Sequence, residues 1–173
     1  MDDVYERVES ERNALEKVID FIPGWSGYQK RQKRREADRL LRQNLAQKLQ
    51  EQRRRLDAAQ KKLIASGRLD LIDDLESAVT QLKTFTDRIR FASYGYAGLF
   101  DAVKIEESEL KQMYDFDAAL VEYAERLDTA NDHLRTAISE GEGLERTVDI
   151  IQEIVSEANA TFDQREHLIL QSQ

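Results

Sequence analysis

The sequence predicts an all-α protein, an elongated antiparallel bundle of about five helices with coiled-coil-like packing. Apolar residues recur at alternating steps of three and four along most of the chain, a spacing that places them in one stripe on a helix. Charged residues make up 35% of the 173 residues and only one residue is proline, a composition typical of long, solvent-exposed helices. No stretch shows the sustained alternation of a strand between turn residues. We therefore expect one helical-bundle domain over residues 1–173.

The first two predicted helices are separated by an aromatic turn. The first helix covers residues 2–22 and ends at Pro23-Gly24. The second covers residues 27–66, begins at Ser26 in the capping-box pattern with Gln29, and ends near Gly67. At 1.5 Å per residue, a helix of about 40 residues is roughly 60 Å long. Its inward stripe consists of Leu41, Leu45, Leu49, Leu56 and Leu63.

The third predicted helix, residues 69–92, has the most regular stripe of the chain. It consists of Leu71, Leu75, Ala78, Leu82, Phe85, Ile89 and Ala92. Such a narrow stripe requires a partner helix. Residues 93–106 are predicted to be a connector, because glycines and aromatic residues interrupt the charged composition there.

Two further helices are predicted at residues 107–139 and 143–171, separated by Glu140-Gly141-Glu142-Gly143. The connectors after the first, second and fourth helices are short. Short connectors make consecutive helices antiparallel neighbours, so the last two helices should form a second hairpin that closes the bundle.

Opposite charges are segregated along the chain. Residues 28–68 contain fourteen Lys/Arg and four Asp/Glu, a net charge of +10, whereas residues 101–173 contain six and eighteen, a net charge of −12. Such fields can hold helices together or attract a partner. One flank of the second helix carries Lys48, Arg53, Arg54, Arg55, Lys61 and Lys62. We expect this flank to pair with the acidic helices of the same chain; each exposed pair contributes only ~0–1 kcal/mol, but many together select the neighbouring helix.

The side chains that usually carry chemistry are scarce. The chain has no cysteine, which excludes disulfides and thiolate sites. Its two histidines, His133 and His167, follow Ala130 and Gln164 by three residues, so the Glu-x-x-His motif of di-iron bundles is absent. The glycine pairs follow no strand and lack the Lys-Ser/Thr of a phosphate loop. We therefore expect no catalytic residue, no metal site and no cofactor.

A few polar residues have structural interpretations. Asp117 and Asn131 fall on or near the apolar stripe of the fourth helix, where buried polar residues can fix the register of neighbouring helices. Asp163 and His167 are four residues apart and should share a surface hydrogen bond, since such pairs lie on one face of a helix.

One candidate interaction surface lies at the start of the second helix. It combines aromatic residues with a basic cluster: Trp25, Tyr28, Lys30, Arg31, Lys33, Arg34 and Arg35. Aromatic residues of this kind favour membrane interfaces, and each cation near an anionic lipid surface contributes about 1 kcal/mol. The favoured alternative is that Trp25 and Phe21 cap the end of the bundle core.

The connector contains a second candidate, a docking loop formed by Tyr94, Tyr96, Leu99 and Phe100. Exposed aromatic residues are concentrated at protein interfaces. The favoured alternative is that the loop plugs the bundle, because four large apolar groups in water would be unusual.

These patterns predict a non-catalytic helical interaction or scaffold protein that acts through protein–protein contacts, including self-association. The alternative is a peripheral membrane protein that binds anionic lipid. Nonspecific nucleic-acid binding is disfavoured by the net charge of −8 and by the lack of a reading motif. The acidic N-terminus lacks the apolar segment of a secretory signal, and no apolar run approaches the ~20 residues that span a bilayer. The expected location is cytoplasmic, with peripheral membrane association under the alternative.

Overall fold

The computed structural model describes the backbone of residues 16–18, 21, 31–92 and 107–171, and the side chains of residues 16–18, 21, 39–92 and 112–167. Within these ranges the chain consists of helices and short turns, with no strand. The predicted all-α helical bundle is confirmed. No helix of the described part combines the length and the apolar composition needed to cross a bilayer.

Four long helices form the described part of the bundle: α1 (Arg31–Ala65), α2 (Ile72–Phe91), α3 (Glu107–Glu140) and α4 (Leu144–Gln171). A 3-10 turn, Leu69–Leu71, leads into α2. The helices α1, α2 and α3 end at Ala65, Phe91 and Glu140, each one residue from the end expected from the sequence. Most of the predicted helix at 2–22 and the whole connector at 93–106 lie outside the described residues, although residues 16–18 and Phe21 are helical.

Glycines in left-handed conformations form the turns. The backbone N–H of Arg68 donates to the Leu63 carbonyl at 3.0 Å, and that of Gly67 donates to the Ile64 carbonyl at 3.1 Å. This pair of bonds is the Schellman motif, which requires a left-handed residue after the helix, and the φ of Gly67 is 76°. Gly141 and Gly143 have φ values of 75° and 71° and join α3 to α4.

The helices are arranged as two stacked hairpins. α1 and α2 form the first hairpin, α3 and α4 form the second, and the hairpins stack with α1 beside α3 and α2 beside α4. Polar contacts between α1 and α3 join residues 73 to 79 positions apart, and those between α2 and α4 join residues 71 to 78 apart. Nearer the start of α1 and α3, Leu41 clusters with Ala118, and the two are also 77 positions apart. Because the partners advance together along each pair of helices, the stacked helices are parallel, and each hairpin is antiparallel only within itself.

Both turns therefore lie at the same end of the bundle, here called the turn end; the opposite end is the open end. Arg68 bridges the two turns by pairing with Glu145 at 3.1 Å. Its Nε and Nη2 atoms also donate to the two carboxylate oxygens of Asp70, each at 3.2 Å. The hydrogen bond from Arg68 lowers the pKa of Asp70.

The apolar stripes form one long core. The predicted inward residues of α1 are all buried, and so is the stripe of α2 from Leu71 to Ile89. Phe85 and Phe162 meet edge to face, with ring centroids 6.1 Å apart, the arrangement that aromatic quadrupoles favour. A smaller cluster towards the open end joins Val18 to α1 and α3 through Leu41, Ala118 and Val121.

Candidate functional site

A buried polar layer crosses the interface between α1 and α3. Gln52 and Asn131 are both buried, and Asn131 Nδ2 donates to Gln52 Oε1 at 2.9 Å. Gln52 Nε2 donates in turn to Asp128 Oδ1 at 2.9 Å. Arg55 completes the layer by donating to Asp128 and Asp132, each at 2.5 Å. Because a shift of either helix would break these bonds, the layer fixes the register, and the prediction for Asn131 is confirmed.

A buried ion pair joins α3 to α4. Arg165 donates from Nε and Nη2 to Asp117 Oδ1, at 3.0 and 2.9 Å. The exposed fractions of the two side chains are 1% and 5%, which confirms the predicted burial of Asp117. Removing two charges from water costs several kcal/mol per ion, which offsets much of their attraction, whereas the loss of one partner would leave an uncompensated buried charge.

A third polar cluster ties α2 to α4. Arg88 donates to Asp163 at 2.5 Å and to Glu166 at 2.7 Å, and its guanidinium lies 4.8 Å from the centroid of the Phe162 ring. Burial alone would lower the pKa of Arg88, but the hydrogen bonds with Glu166 and Asp163 raise it. The expected hydrogen bond between Asp163 and His167 is wrong: the charged guanidinium of α2 is the stronger donor and occupies the carboxylate.

The basic flank of α1 is only partly neutralised. Arg55 pairs with α3 as expected, and Lys48 lies 5.2 Å from the centroid of the Phe21 ring. The remaining cations of the flank make no ion pair with any described carboxylate: Arg53, Arg54, Lys61 and Lys62. The prediction that the whole flank pairs internally is therefore wrong. Among the described residues, the carboxylates that pair with this flank are those of Asp128 and Asp132, and Lys62 instead shares a groove with Arg135.

The described residues offer little for metal or acid–base chemistry. No group of three or more His, Asp and Glu side chains among them could hold a metal ion. His133 and His167 are both exposed and lie on different helices. The surface, by contrast, carries several grooves, and two of them lie on opposite faces of the bundle.

The first groove, here called the basic groove, lies between α1 and α2 towards the open end and has a volume of about 430 Å³. None of its described lining residues is a carboxylate. Its lining residues are Arg39, Arg42, Gln43, Ala46, Gln47, Gln50 and Arg90.

The second groove, here called the acidic groove, lies between α3 and α4 and has a volume of about 420 Å³. Ile154 is buried at its base, and Ile150 on its wall is 38% exposed. The other lining residues are Glu122, Glu125, Arg126, Thr129, Ala130, His133 and Thr147.

Carboxylates lie on and beside the acidic groove. Glu125 on its wall is exposed and makes no ion pair with a described residue. The same is true of Asp149 and Glu153 on the outer side of α4. Glu153 is one turn from Ile150, a spacing that makes the two side chains neighbours on the helix surface. The carboxylates of Glu125 and Glu153, here called the acidic rim, thus lie beside exposed apolar surface.

No family model, curated protein or solved structure matches the chain. The two grooves and the ion-pair clusters are therefore the observations from which function is argued.

Most of the residues proposed as sites from the sequence lie outside the described residues. They are Trp25, Tyr28 and Lys30 of the basic cluster and Tyr94, Tyr96, Leu99 and Phe100 of the docking loop. The backbone of Arg31, Lys33, Arg34 and Arg35 is helical and forms the first turns of α1, at the open end.

The two grooves were missed by sequence reasoning. One signal could have indicated the acidic groove: Ile150 and Ile154 fall beside the apolar stripe of Val148, Ile151 and Val155 in α4 and widen its apolar face. When the apolar face of a helix is wider than the seam of a coiled coil, part of its apolar surface stays exposed. The basic groove has no comparable signal, because its arginines come from two helices.

Proposed function

We propose that the protein is a non-catalytic interaction or scaffold module that holds a basic, amphipathic helix of a partner protein in the acidic groove. The observation that carries this proposal is the exposed Ile150 beside the unpaired carboxylates of Glu125 and Glu153. Helix-in-groove recognition combines an apolar anchor with complementary charge around it.

The two parts of the groove have different roles in the proposal. Fully burying an isoleucine contributes ~1.5–3 kcal/mol, and Ile150 can gain only a part of this because it is 38% exposed. The acidic rim favours encounter with a basic partner and discriminates against an acidic one. Because exposed charges are screened by salt, association should be fast at low ionic strength and slower at high ionic strength.

A designed peptide with leucines on one helical face and lysines on the other tests this proposal by fluorescence anisotropy. We expect saturable binding that weakens as salt is added, and Ile150→Asn should weaken it further. The matched control is Ile64→Asn, since Ile64 is an isoleucine on α1 that is 53% exposed and lies outside the groove. Equal binding by both variants, or tighter binding of a peptide with glutamates in place of lysines, would contradict the proposal.

Self-association is a specific form of the same proposal, in which a second copy supplies the cations. Arg53, Arg54, Lys61 and Lys62 of another α1 would then face the acidic rim. Light scattering across a range of protein concentrations decides between the two forms. A wild-type monomer at tens of micromolar leaves only a different protein as the partner.

Peripheral membrane binding is the second candidate. It is supported by the position of Arg31–Arg35 on α1, at the same end of the bundle as the arginines of the basic groove. Sedimentation with vesicles of anionic lipid at low salt tests it. Absence of binding, or binding that survives Lys/Arg→Gln changes at positions 30–35, would eliminate this candidate.

A further inference from the structure

We infer that the basic groove is a binding site for a ligand with clustered phosphate groups. Three guanidinium groups line it, those of Arg39, Arg42 and Arg90, and none of its described lining residues is a carboxylate. Arg39 is exposed and makes no hydrogen bond or ion pair with a described residue. The described walls of the groove therefore leave the charge of Arg39 without a counter-charge.

This arrangement differs from that of the arginines at the helix interfaces. Arg55, Arg88, Arg126 and Arg165 each pair with a carboxylate, at 2.5, 2.5, 2.7 and 2.9 Å respectively. Arg90 instead donates to a neutral acceptor, Gln50 Oε1, at 3.1 Å. A neutral amide leaves the charge of the guanidinium in place, so an anion in the groove would meet a full positive charge.

The side chains of the groove suit phosphate better than an isolated carboxylate. A guanidinium presents planar pairs of N–H donors that match two phosphate oxygens. The guanidiniums of Arg39 and Arg90 on one groove favour a ligand with more than one phosphate, because each can meet its own anionic group. The side-chain amides of Gln43 and Gln47 add neutral donors to the same walls.

The size of the groove sets the ligand class. Its volume of about 430 Å³ falls within the ~300–1,000 Å³ of small-molecule sites. The phosphates could belong to a soluble phosphorylated molecule or to a lipid headgroup, which share this chemistry. The site is on the face opposite the acidic groove, so it does not depend on the proposed function.

Inorganic tripolyphosphate is the probe, and titration calorimetry at low and high salt is the measurement. We expect saturable, salt-sensitive binding that Arg39→Gln and Arg90→Gln each weaken by about tenfold, equivalent to ~1.4 kcal/mol. Arg39→Lys keeps the charge but loses the planar pair of donors, so its affinity should lie between those of Arg39→Gln and the wild type.

The matched control is Arg54→Gln, which removes one positive charge from the same helix outside the groove. It should leave the affinity unchanged. The inference is overturned if the wild type shows no saturable binding at low salt, or if Arg54→Gln weakens binding as much as Arg90→Gln does. The first result means that the groove holds no anion, and the second means that only net charge is sensed.

Vesicles identify the source of the phosphates. Two preparations of equal surface charge are compared, one containing a polyphosphorylated phosphoinositide and the other phosphatidylserine. Binding to the first alone, competed by tripolyphosphate, indicates a lipid headgroup, whereas binding of tripolyphosphate with no vesicle binding indicates a soluble ligand. Equal binding to both vesicles, unaffected by Arg39→Gln and Arg90→Gln, overturns the inference.

Discussion

Removing the charge of Asp117 should destabilise the protein strongly. Asp117→Asn keeps the size and an acceptor oxygen but takes away the carboxylate that faces Arg165 at 2.9 Å. The Arg165 side chain is 1% exposed, so water cannot replace the lost charge. Breaking one side of a buried ion pair costs about 3–5 kcal/mol, and we expect the free energy of unfolding to fall by about 3 kcal/mol or more.

The ion pair of Arg126 and Glu157 is the matched control. It also joins α3 to α4, at 2.7 Å, but both side chains are 40% exposed. The hydrogen bond to Glu157 raises the pKa of Arg126, yet water screens the pair. Glu157→Gln should therefore lower the free energy of unfolding by only ~0–1 kcal/mol.

Urea denaturation followed by circular dichroism measures both variants. The double variant Asp117→Leu/Arg165→Met adds a third comparison, because replacing a buried pair with apolar residues is often neutral or stabilising. We expect it to be more stable than Asp117→Asn alone. If Asp117→Asn costs no more than Glu157→Gln at an unchanged denaturant slope, the pair is hydrated in solution and the reasoning from burial fails.

Three further changes test the turns and the core. Gly67→Ala should lower the free energy of unfolding, measured by urea denaturation, by about 1–2 kcal/mol. This is the cost of placing an L-residue in the left-handed conformation, which the φ of 76° requires, and no clash adds to it because no atom lies within 4 Å of the added Cβ. Leu75→Ala removes a fully buried side chain and should lower the free energy of unfolding by about 2–5 kcal/mol. Leu69→Ala, at an exposed position, should stay within about 0.5 kcal/mol of the wild type. Similar losses of stability in the two variants would contradict the assignment of Leu75 to the core. Because Arg68 lowers the pKa of Asp70, the carboxylate stabilises the fold above its unfolded pKa of ~3.9, and this stability is lost as the pH falls through the lower, folded pKa. The difference in melting temperature between wild type and Asp70→Asn should accordingly be present at neutral pH and vanish in acid; a difference that persists in acid would point to another cause.

The helices could be predicted closely because their determinants are local. The stripe from Leu71 to Ile89 and the turn at Gly67 each depend on residues within one or two helical turns. Asn131 was recognisable as a buried polar residue for the same reason. Gln52 was not singled out, although it occupies the stripe between Leu49 and Leu56, because a glutamine in a basic helix resembles a surface residue.

The stacking of the hairpins could not be predicted from the same patterns. Periodicity shows that a helix needs a partner but not which helix lies beside it, and the contacts that decide this lie far apart in sequence. Asn131 and Gln52, for example, are 79 residues apart. The prediction that the whole basic flank pairs internally is wrong for a related reason. Charge counts do not show which side of α1 faces α3, and Arg53 and Arg54 do not lie on the side of α1 from which Arg55 reaches α3.

The parallel stacking also determines how the backbone holds the bundle together. Ala92 and Glu107, which flank the link between the hairpins, both lie at the open end. At the turn end the hairpins are joined by side chains alone, including the bridge between Arg68 and Glu145, and an exposed bridge of this kind contributes only ~0–1 kcal/mol. In mechanical terms the backbone connects the hairpins covalently at the open end, whereas only side-chain contacts connect them at the turn end. A force that pulls the two turns apart therefore meets only noncovalent resistance.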